Sequence, residues 1–486
     1  MKNSYLTVTD QFCGAGGSSI GATAAGAELR LALNHWQLAI ETHNSNFPQA
    51  AHDCTDISAC DPRRYPSTDI LITSPECTNH TLAKGKRKRM QADLFGNGPD
   101  PAEERSRATM WDVPRFAEVH RYNAIVVENV VDARQWVNWT AWLLAMRQLG
   151  YDYKTVFFNS MFAHPTPQSR DRMYVVFWRN GNRAPDLDIH PAAWCELCER
   201  DVEATQAWKQ GRRAGKYRQQ YVYACPRCAA VVEPYYYCAA SAIDWTLPCP
   251  RIGDRAQPLK EKTLSRIRAG LKKFGRQAIA IDTSFGDGDR VSLLTDTMRT
   301  QTTRQTIGVA VPPFLMDTVH NARNGRHQDM VWSVDGPDRT QIAQNTKVLI
   351  VPPFLLPYYS TGQASSVDEP LPTVTTVDRH ALAVPPFLLG YYTRLTGQQA
   401  AVSRIDEALP TQSTQPRHYL VQPGDMPTVE DCGFRMLQPH EIQAAMAFPE
   451  QYVVLGTKRE QVRQLGNAVT PPVMRLLLDR VIQSLM

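Results

Sequence analysis

The sequence predicts an α/β protein of the doubly wound class, with a cysteine-bearing insertion and a strand-rich region in its second half. Three observations lead there. Over the first 180 residues, short apolar runs alternate with amphipathic stretches, the pattern of a parallel sheet covered by helices. Two CxxC pairs follow. Beyond them the string VPPFL recurs from Val311, Val351 and Val384, each copy after a segment rich in Thr and Gln. At 486 residues the chain exceeds one ordinary domain, and length alone favours roughly two to four.

Taken in order, strands are expected over 6–12, 28–33, 69–73, 124–128, 153–158 and 173–178, where β-branched and aromatic residues form short runs. Helices are expected over 18–25, 113–121 and 136–149. A sheet of this kind places ligands at the carboxyl ends of its strands. After Arg179 the texture changes to a tyrosine-rich, basic stretch over 190–240. A basic amphipathic helix is expected next, over 259–274, with Leu264, Ile267 and Leu271 on one face. The VPPFL copies, with a degenerate fourth copy LPTQSTQPRHYLV, predict a strand-rich domain of hairpins. The last sixty residues return to helical periodicity. The expected divisions are 1–185, 190–240, 241–430 and 431–486.

Composition excludes several classes. No apolar run approaches the roughly 18 residues of a membrane span, so no membrane association is expected. The start MKNSYLTVTDQF lacks the charged and apolar stretches of a secretory signal, which predicts a chain that stays in a reducing, cytoplasmic compartment. Eleven cysteines there point to catalysis, metal binding or burial rather than disulfides. A net charge of +5 says little by itself, but its clustering is informative. Lys84, Lys86, Arg87, Lys88 and Arg89 form one run, and a second spans 251–276. Such runs are solvated faces unless they flank a site that handles a polyanion.

FCGAGG, residues 12–17, follows a strand and opens a helix. Glycines there let the backbone turn sharply while free helix-start amides face a ligand. Alone, this turn fits a packing device, a dinucleotide or another cofactor. It is followed in fixed order by SPECT around Cys77, by ENV from Glu128, by QSRDR from Gln168, by RMLQPHEIQAAMAFP from Arg435 and by QLGNAVTPP from Gln464.

This ordered set resembles the cytosine-C5 DNA methyltransferase family, of phage or bacterial type, over roughly 1–180 and 430–486. The resemblance implies a Rossmann-like catalytic domain that uses S-adenosyl-L-methionine to methylate a cytosine flipped out of double-stranded DNA. It implies an enzyme of DNA methylation, serving a restriction-modification system, phage protection or regulation, and acting as a monomer in a bacterial or phage-infected cell. Cys77 is the implied nucleophile, adding to ring carbon 6. A free thiol is only about 3% thiolate at pH 7, so the site must stabilise the anion or move its proton during attack. Glu128 faces N3 and the exocyclic amine, and Arg170 and Arg172 the other edge of the base, with Arg172 the one in contact. For the cofactor, the resemblance points to Phe12, Gly14, Gly16 and Gly17 at the methionine portion. Asn34, His35 and Trp36 take the ribose and adenine side, Asp56 with Ile57 the adenine amino group, and Asn467, Ala468 and Val469 close the pocket. Two departures stand out. Asn34 occupies a position often acidic in relatives, and the nucleophile loop reads Pro75, Glu76, Cys77 where relatives read Pro-Cys. A carboxylate beside the thiol raises its pKa unless it is turned away. Cys13, Cys54, Cys60 and Cys432 read as buried and inert.

Cys195, Cys198, Cys225 and Cys228 form two CxxC pairs with 26 residues between them, the spacing of a zinc ribbon and a closed tetrahedral structural Zn2+ site. Lys209, Arg212, Arg213, Lys216 and Arg218 lie between the pairs as candidates for phosphate contact. The repeat region falls where the family places target recognition, with Arg299, Gln301, Arg304, Arg379 and Gln415 as candidate base readers. Two rivals share these residues. One is an RNA cytosine-C5 methyltransferase, separable by methyl transfer to duplex DNA against RNA. The other is a catalytically silent DNA-binding relative, separable by covalent capture through Cys77. An amino-methyltransferase is disfavoured, since no Asp/Asn/Ser-Pro-Pro-Tyr/Phe loop follows the fourth strand.

Overall fold

The structure, a computed structural model, describes residues 5–76, 109–244 and 429–486, parts of 246–268, and the backbone of short strands between 279 and 419. The chain forms two compact units. One comprises Met1–Ile243, Pro337–Asn345 and Gln438–Met486, the other Asp244–Gly336 and Thr346–Leu437.

The first unit is built on strands β1 (Thr7–Gln11), β2 (Glu28–Asn34), β3 (Ala51–Cys54), β4 (Ile70–Thr73), β5 (Ala124–Asn129), β6 (Tyr151–Asn159), β7 (Gln168–Ser169) and β8 (Asp171–Arg179). Seven of them make one sheet in the order β3-β2-β1-β4-β5-β8-β6. Strands β1 to β5 pair in parallel. The uniformly parallel sheet expected from the alternation is corrected at one edge, where β8 runs antiparallel to both β5 and β6. The reason is the connection. Residues 160–170 hold only a short 3-10 turn, Ser160–Phe162, and β7, and so have no helix with which to make a parallel crossover. Every residue of β4 and β5 is buried, which accounts for the unbroken apolar runs ILIT and AIVV.

Helices α1 (Gly17–Ala24), α2 (Gln37–Asn46), α3 (Asp112–His120) and α4 (Trp139–Gln148) cover the sheet, and α5 (Pro439–Ala445), α6 (Lys458–Asn467) and α7 (Pro471–Leu485) return from the C-terminal end. In α7 the residues Val473, Met474, Leu477, Leu478, Val481 and Ile482 recur at helical spacing and are all buried, with α1 packed against them. The chain's two ends therefore share one core. The expected helix over 136–149 begins later, at Trp139, because Val131–Gln135 form a 3-10 turn first. Strand β3 and helix α2 were not expected. AHDC and QLAIETHNSN are too polar to show a period, and the neighbouring strand and the burial of Ala39, Ile40, Thr42 and His43 hold them in place.

In the second unit, Ile252, Ile267, Val331, Val429 and Cys432 form a buried cluster on which Leu259 and Leu264 pack. The described residues of the basic amphipathic stretch are helical from Glu261 to Arg268, while Leu271 lies outside the described residues. After each VPPFL copy the strand pairs antiparallel with the next strand along the chain, as hairpins require: Phe314–Asp317 with Val331–Ser333, Leu355–Pro357 with His380–Leu382, and Leu388–Gly390 with Ala401–Ser403. In each copy, the strand before the proline pair and the strand after it belong to different sheets: Ile307–Ala310 and Phe314–Asp317, Lys347–Val351 and Leu355–Pro357, His380–Leu382 and Leu388–Gly390. Proline has no N–H to offer a ladder, so a proline pair ends one sheet and lets the chain enter the next.

Candidate active site

The carboxyl ends of β1, β4 and β5 meet at one edge of the first unit. Leaving β1, Phe12, Gly14 and Gly16 all take positive φ, and Gly16 N–H donates to the Cys13 carbonyl at 2.8 Å to close the turn. Gly17 has a steric reason. A Cβ there would overlap the carbonyl oxygen of Val469, so the glycine turn and the segment Asn467, Ala468, Val469 lie backbone to backbone. At the same edge, Gln11, Thr73 and Ser74 bury side-chain polar atoms without a partner among the described residues. Buried polar groups are normally satisfied by hydrogen bonds, so these atoms are suited to bond a polar ligand at this edge.

The Asn34 side-chain oxygen accepts from Trp36 N–H at 2.9 Å, which fixes the turn out of β2. The Arg463 guanidinium lies 4.5 Å from the centre of the Trp36 ring. Asp56 is exposed and caps its own turn, accepting from Ser58 N–H at 3.0 Å. Ile57 beside it is buried, and its carbonyl accepts from Arg115.

Beneath the glycine turn runs a buried polar chain. Ser19 donates to Asp10 at 2.7 Å, His43 Nε2 lies 2.9 Å from the same hydroxyl, and His43 Nδ1 lies 2.8 Å from His52 Nε2. With Ser19 donating to Asp10, His43 donates through Nε2 and accepts from His52 through Nδ1. Burial pushes the Asp10 carboxyl up to about 7 and the His43 imidazole down to about 3. Burial, with Asp10 nearby, also raises the Cys13 thiol well above its ordinary range. Of the four cysteines read as buried, Cys13, Cys60 and Cys432 are buried; Cys54 is a correction, exposed at the end of β3, where the strand runs out at the sheet edge.

Cys77 itself, the run from Lys84 to Arg89, and Arg299, Gln301, Arg304, Arg379 and Gln415 lie outside the described residues. The loop leading to Cys77 is described. Pro75 O accepts from Asn129 Nδ2 at 3.2 Å, and the Glu76 carboxylate lies 3.7 Å from His35 Nδ1. Glu128, buried at the end of β5, and the partly buried Arg172, in β8, form an ion pair with Arg172 Nε 2.9 Å from Glu128 Oε1. Arg170 is placed differently from Arg172. Its guanidinium donates to the carbonyls of Gly466 and Ala468 at 3.2 and 3.0 Å, tying the GNAV turn to β8. Sequence reasoning missed three partners: Asn129, which holds the loop before Cys77; Arg463, over Trp36; and Asp171, between the two arginines. Asn129 had a signal, the ENV string itself. Asp171 likewise lies inside the QSRDR string, while Arg463 had no signal.

The insertion folds as β9 (Ala192–Cys195), β10 (Arg200–Glu203), β11 (Thr205–Trp208), β12 (Tyr221–Ala224) and β13 (Val231–Val232). The sulfurs of Cys195, Cys198, Cys225 and Cys228 all lie within 4.8 Å of one another, with Cys195 to Cys228 at 3.5 Å and Cys198 to Cys225 at 3.9 Å. Zinc–sulfur bonds near ~2.3 Å in a tetrahedron require sulfur separations of about 3.8 Å, so the donor set fits. The N–H groups of Cys228 and Arg227 help lower the Cys225 thiol to about 6.

A family model described as C-5 cytosine-specific DNA methylase matches residues 6–212 and 357–483. Among curated proteins of Herpetosiphon aurantiacus, the Type II methylase M.HgiEI is 26% identical over 198 residues, 40% of this chain and 40% of that protein. The Type II methyltransferase M.HgiDI is 27% identical over 183 residues, 37% of this chain and 54% of that protein. M.HgiGI is 34% identical over 87 residues, 17% of this chain and 67% of that protein. The chain thus spans about two fifths of the first of these relatives and about half of the second. Among solved structures, a Spodoptera frugiperda DNMT2 variant aligns over 98% of this chain and 99% of its own with 14% identity and a TM-score of 0.47. A putative DNA modification methyltransferase encoded within an E. coli prophage aligns over 99% of each chain, with 14% identity and a TM-score of 0.42.

Proposed function

Because this chain belongs to the C-5 cytosine-specific DNA methylase family, we propose that it is a DNA (cytosine-5-)-methyltransferase that attacks a flipped cytosine with Cys77. The observation that carries the reading is the Glu128–Arg172 pair, with Glu128 buried at the end of β5, next to the loop that Asn129 holds just before Cys77. An ion pair in this setting fixes a carboxyl group in one orientation, ready for a base that offers both a ring nitrogen and an amine. The thiolate adds to carbon 6, and the electron pair it displaces makes carbon 5 nucleophilic. Glu128 neutralises charge as it builds on N3, and Arg172 holds the carboxylate and faces the base. Once carbon 5 is methylated, water or hydroxide removes its proton and the Cys77 thiolate leaves. Arg170 is assigned to positioning, through its bonds to Gly466 and Ala468.

S-adenosyl-L-methionine, when bound, supplies the methyl group from its sulfonium. The backbone approach at Gly17 and the unpartnered buried atoms of Gln11 and Thr73 fit a polar ligand at this edge. Phe12, Gly14, Gly16 and Gly17 would hold its methionine end, Asn34, His35 and Trp36 its ribose and adenine, Asp56 and Ile57 the adenine edge, and Asn467, Ala468 and Val469 would close over it. Residues 1–185 and 431–486 form the catalytic domain in this reading, 190–240 a zinc ribbon, and 241–430 the target-recognition region on double-stranded DNA. The Type II names of the relatives support a place in restriction-modification.

Transfer of tritiated methyl groups to duplex DNA, with RNA of the same sequence inert, is the expected result; methylation of RNA alone would overturn the choice of substrate. Sequencing of methylated cytosines in DNA from expressing cells then reads the target. For the ribbon, purified protein is expected to carry one zinc ion per chain, measured by release to a chromogenic chelator after thiol modification. Cys198→Ser should lower that content severalfold, and an unchanged content would remove the ribbon site.

A further inference from the structure

The ribbon's basic loop reads from sequence as a phosphate-contacting finger, yet much of its charge is engaged within the protein. Lys216 Nζ lies 2.9 Å from Asp132, Arg218 pairs with Glu233, and Lys209 Nζ donates to the Arg218 carbonyl at 2.6 Å. The partners of Lys216 and Tyr217 are telling. Asp132 belongs to the 3-10 turn Val131–Gln135 that follows Glu128 after two residues. Tyr217 N–H donates at 2.9 Å to Asp171 Oδ1, and Asp171 is the residue between Arg170 and Arg172; its own carbonyl accepts from Arg172 Nη1 at 2.8 Å. Two adjacent residues of the insertion therefore grip the segment after Glu128 and the segment bearing Arg172.

The grip is built to hold its shape. Lys216 N–H donates to Gln220 Oε1 at 2.8 Å, Gln220 N–H returns a bond to the Lys216 carbonyl at 2.9 Å, and a Cβ on Gly215 would overlap the Gln220 side chain. The Tyr217 ring is buried edge-on against Phe162 at 4.9 Å, with Tyr223 packed on the same Phe162 at 5.2 Å. Gln206 adds a bond from β11 to the Phe157 carbonyl in β6 at 3.0 Å. The four-cysteine cluster ties β9 to the turn after β12, the strand that carries Tyr221 and Tyr223.

We propose that Lys216 and Tyr217 form a clip by which the zinc ribbon fixes Glu128 and Arg172 relative to each other, so that the insertion acts as a brace of the base pocket. Lys216, Tyr217, Asp132 and Asp171 are positioning residues in this scheme, which rests on the methyltransferase reading above. A misplacement of about 1 Å at a reacting centre can cost ~10²-fold in rate, and the loss of one half-buried ion pair at the clip is expected to cost part of that.

The test uses the full chain with its metal. Lys216→Ala should slow single-turnover capture of a duplex carrying 5-fluorocytosine about tenfold, with DNA affinity and its salt dependence unchanged. Lys216→Arg should restore the rate, as should the exchange Lys216→Asp with Asp132→Lys. Hydrogen exchange supplies a readout independent of activity: in Lys216→Ala, and in the wild type after zinc is chelated, protection should fall in 131–135 and 168–172. A loss of DNA affinity with a salt slope lower by about one would make Lys216 a phosphate contact and overturn the clip. Unchanged capture and unchanged exchange would overturn it as well. Failure of the wild type to form any adduct would count against the methyltransferase reading, while the exchange data still decide the clip.

Discussion

Cys77→Ser is expected to form no covalent complex with a duplex containing 5-fluorocytosine, and to lose methyl transfer by at least ~10⁴-fold. Fluorine at carbon 5 cannot leave as a proton does, so the bond from the thiol sulfur to carbon 6 persists and the complex survives denaturation on a gel. A serine hydroxyl at neutral pH offers almost no anion for that addition. Glu128→Gln makes the reading more specific. The amide still reaches the base but neutralises less of the charge that builds on N3, so the adduct should form roughly 10²–10³-fold more slowly and still reach completion. Undiminished adduct in Cys77→Ser would send the nucleophile elsewhere. Cys13, the cysteine of the glycine turn, is a poor substitute, since burial and Asp10 both disfavour its thiolate.

The second large effect concerns the buried chain from Asp10 to His52, and it is one of stability against pH. Burial raises the Asp10 carboxyl from 3.8 to about 7. Its contribution is complete below 3.8 and is lost as pH rises toward 7, because the unfolded chain releases a proton that the folded chain keeps. His43 works in the opposite sense. Its imidazole falls from 6.5 to about 3, so its contribution is complete above 6.5 and is lost as pH falls toward 3. At about 1.4 kcal/mol per pKa unit, each is worth on the order of 4–5 kcal/mol over its window. Between about pH 4 and 6.5 the two slopes cancel, and the wild type should show a flat melting temperature from this source. Asp10→Asn leaves His43 alone and should melt progressively lower as pH falls below 6.5. His43→Gln leaves Asp10 alone and should melt progressively lower as pH rises from 4 to 7. Parallel melting profiles for the wild type and both variants would refute the compensation.

The sequence carried the strand positions well where the strands are central. ILIT and AIVV have apolar residues on both faces because helices cover both, and that leaves an unbroken run to read. At the sheet's edges the signal fails. AHDC in β3 is half exposed, and the antiparallel turn of β8 depends on the length of a connection rather than on any residue in the strand. The proline pairs of VPPFL announced a break in strand structure and the antiparallel pairs that follow, but not that the strand before each pair belongs to another sheet, since the loss of a donor looks the same in either case.

The resemblance carried by the ordered motifs assigned Gly17, Glu128, Arg172 and Asn467 to one site, and for Gly17 and Glu128 the doubly wound topology alone brings the turn after β1 and the end of β5 to the same edge of the sheet. The four cysteines likewise declared a cluster by spacing, since two knuckles can close on one ion whatever lies between them. Tertiary structure decided the partners that cross the chain, including the bonds of Arg170, which the resemblance had put at the base beside Arg172. Arg170 and Arg172 stand two residues apart with the same chemistry, yet one holds the turn at Gly466 and the other meets Glu128. Lys216 looks like any exposed cation of a basic loop until Asp132 is brought beside it, 84 residues earlier in the chain. A motif fixes which residue types are present at a strand end; which of two equal charges is buried against which partner depends on the packing around them, and the local sequence does not encode it.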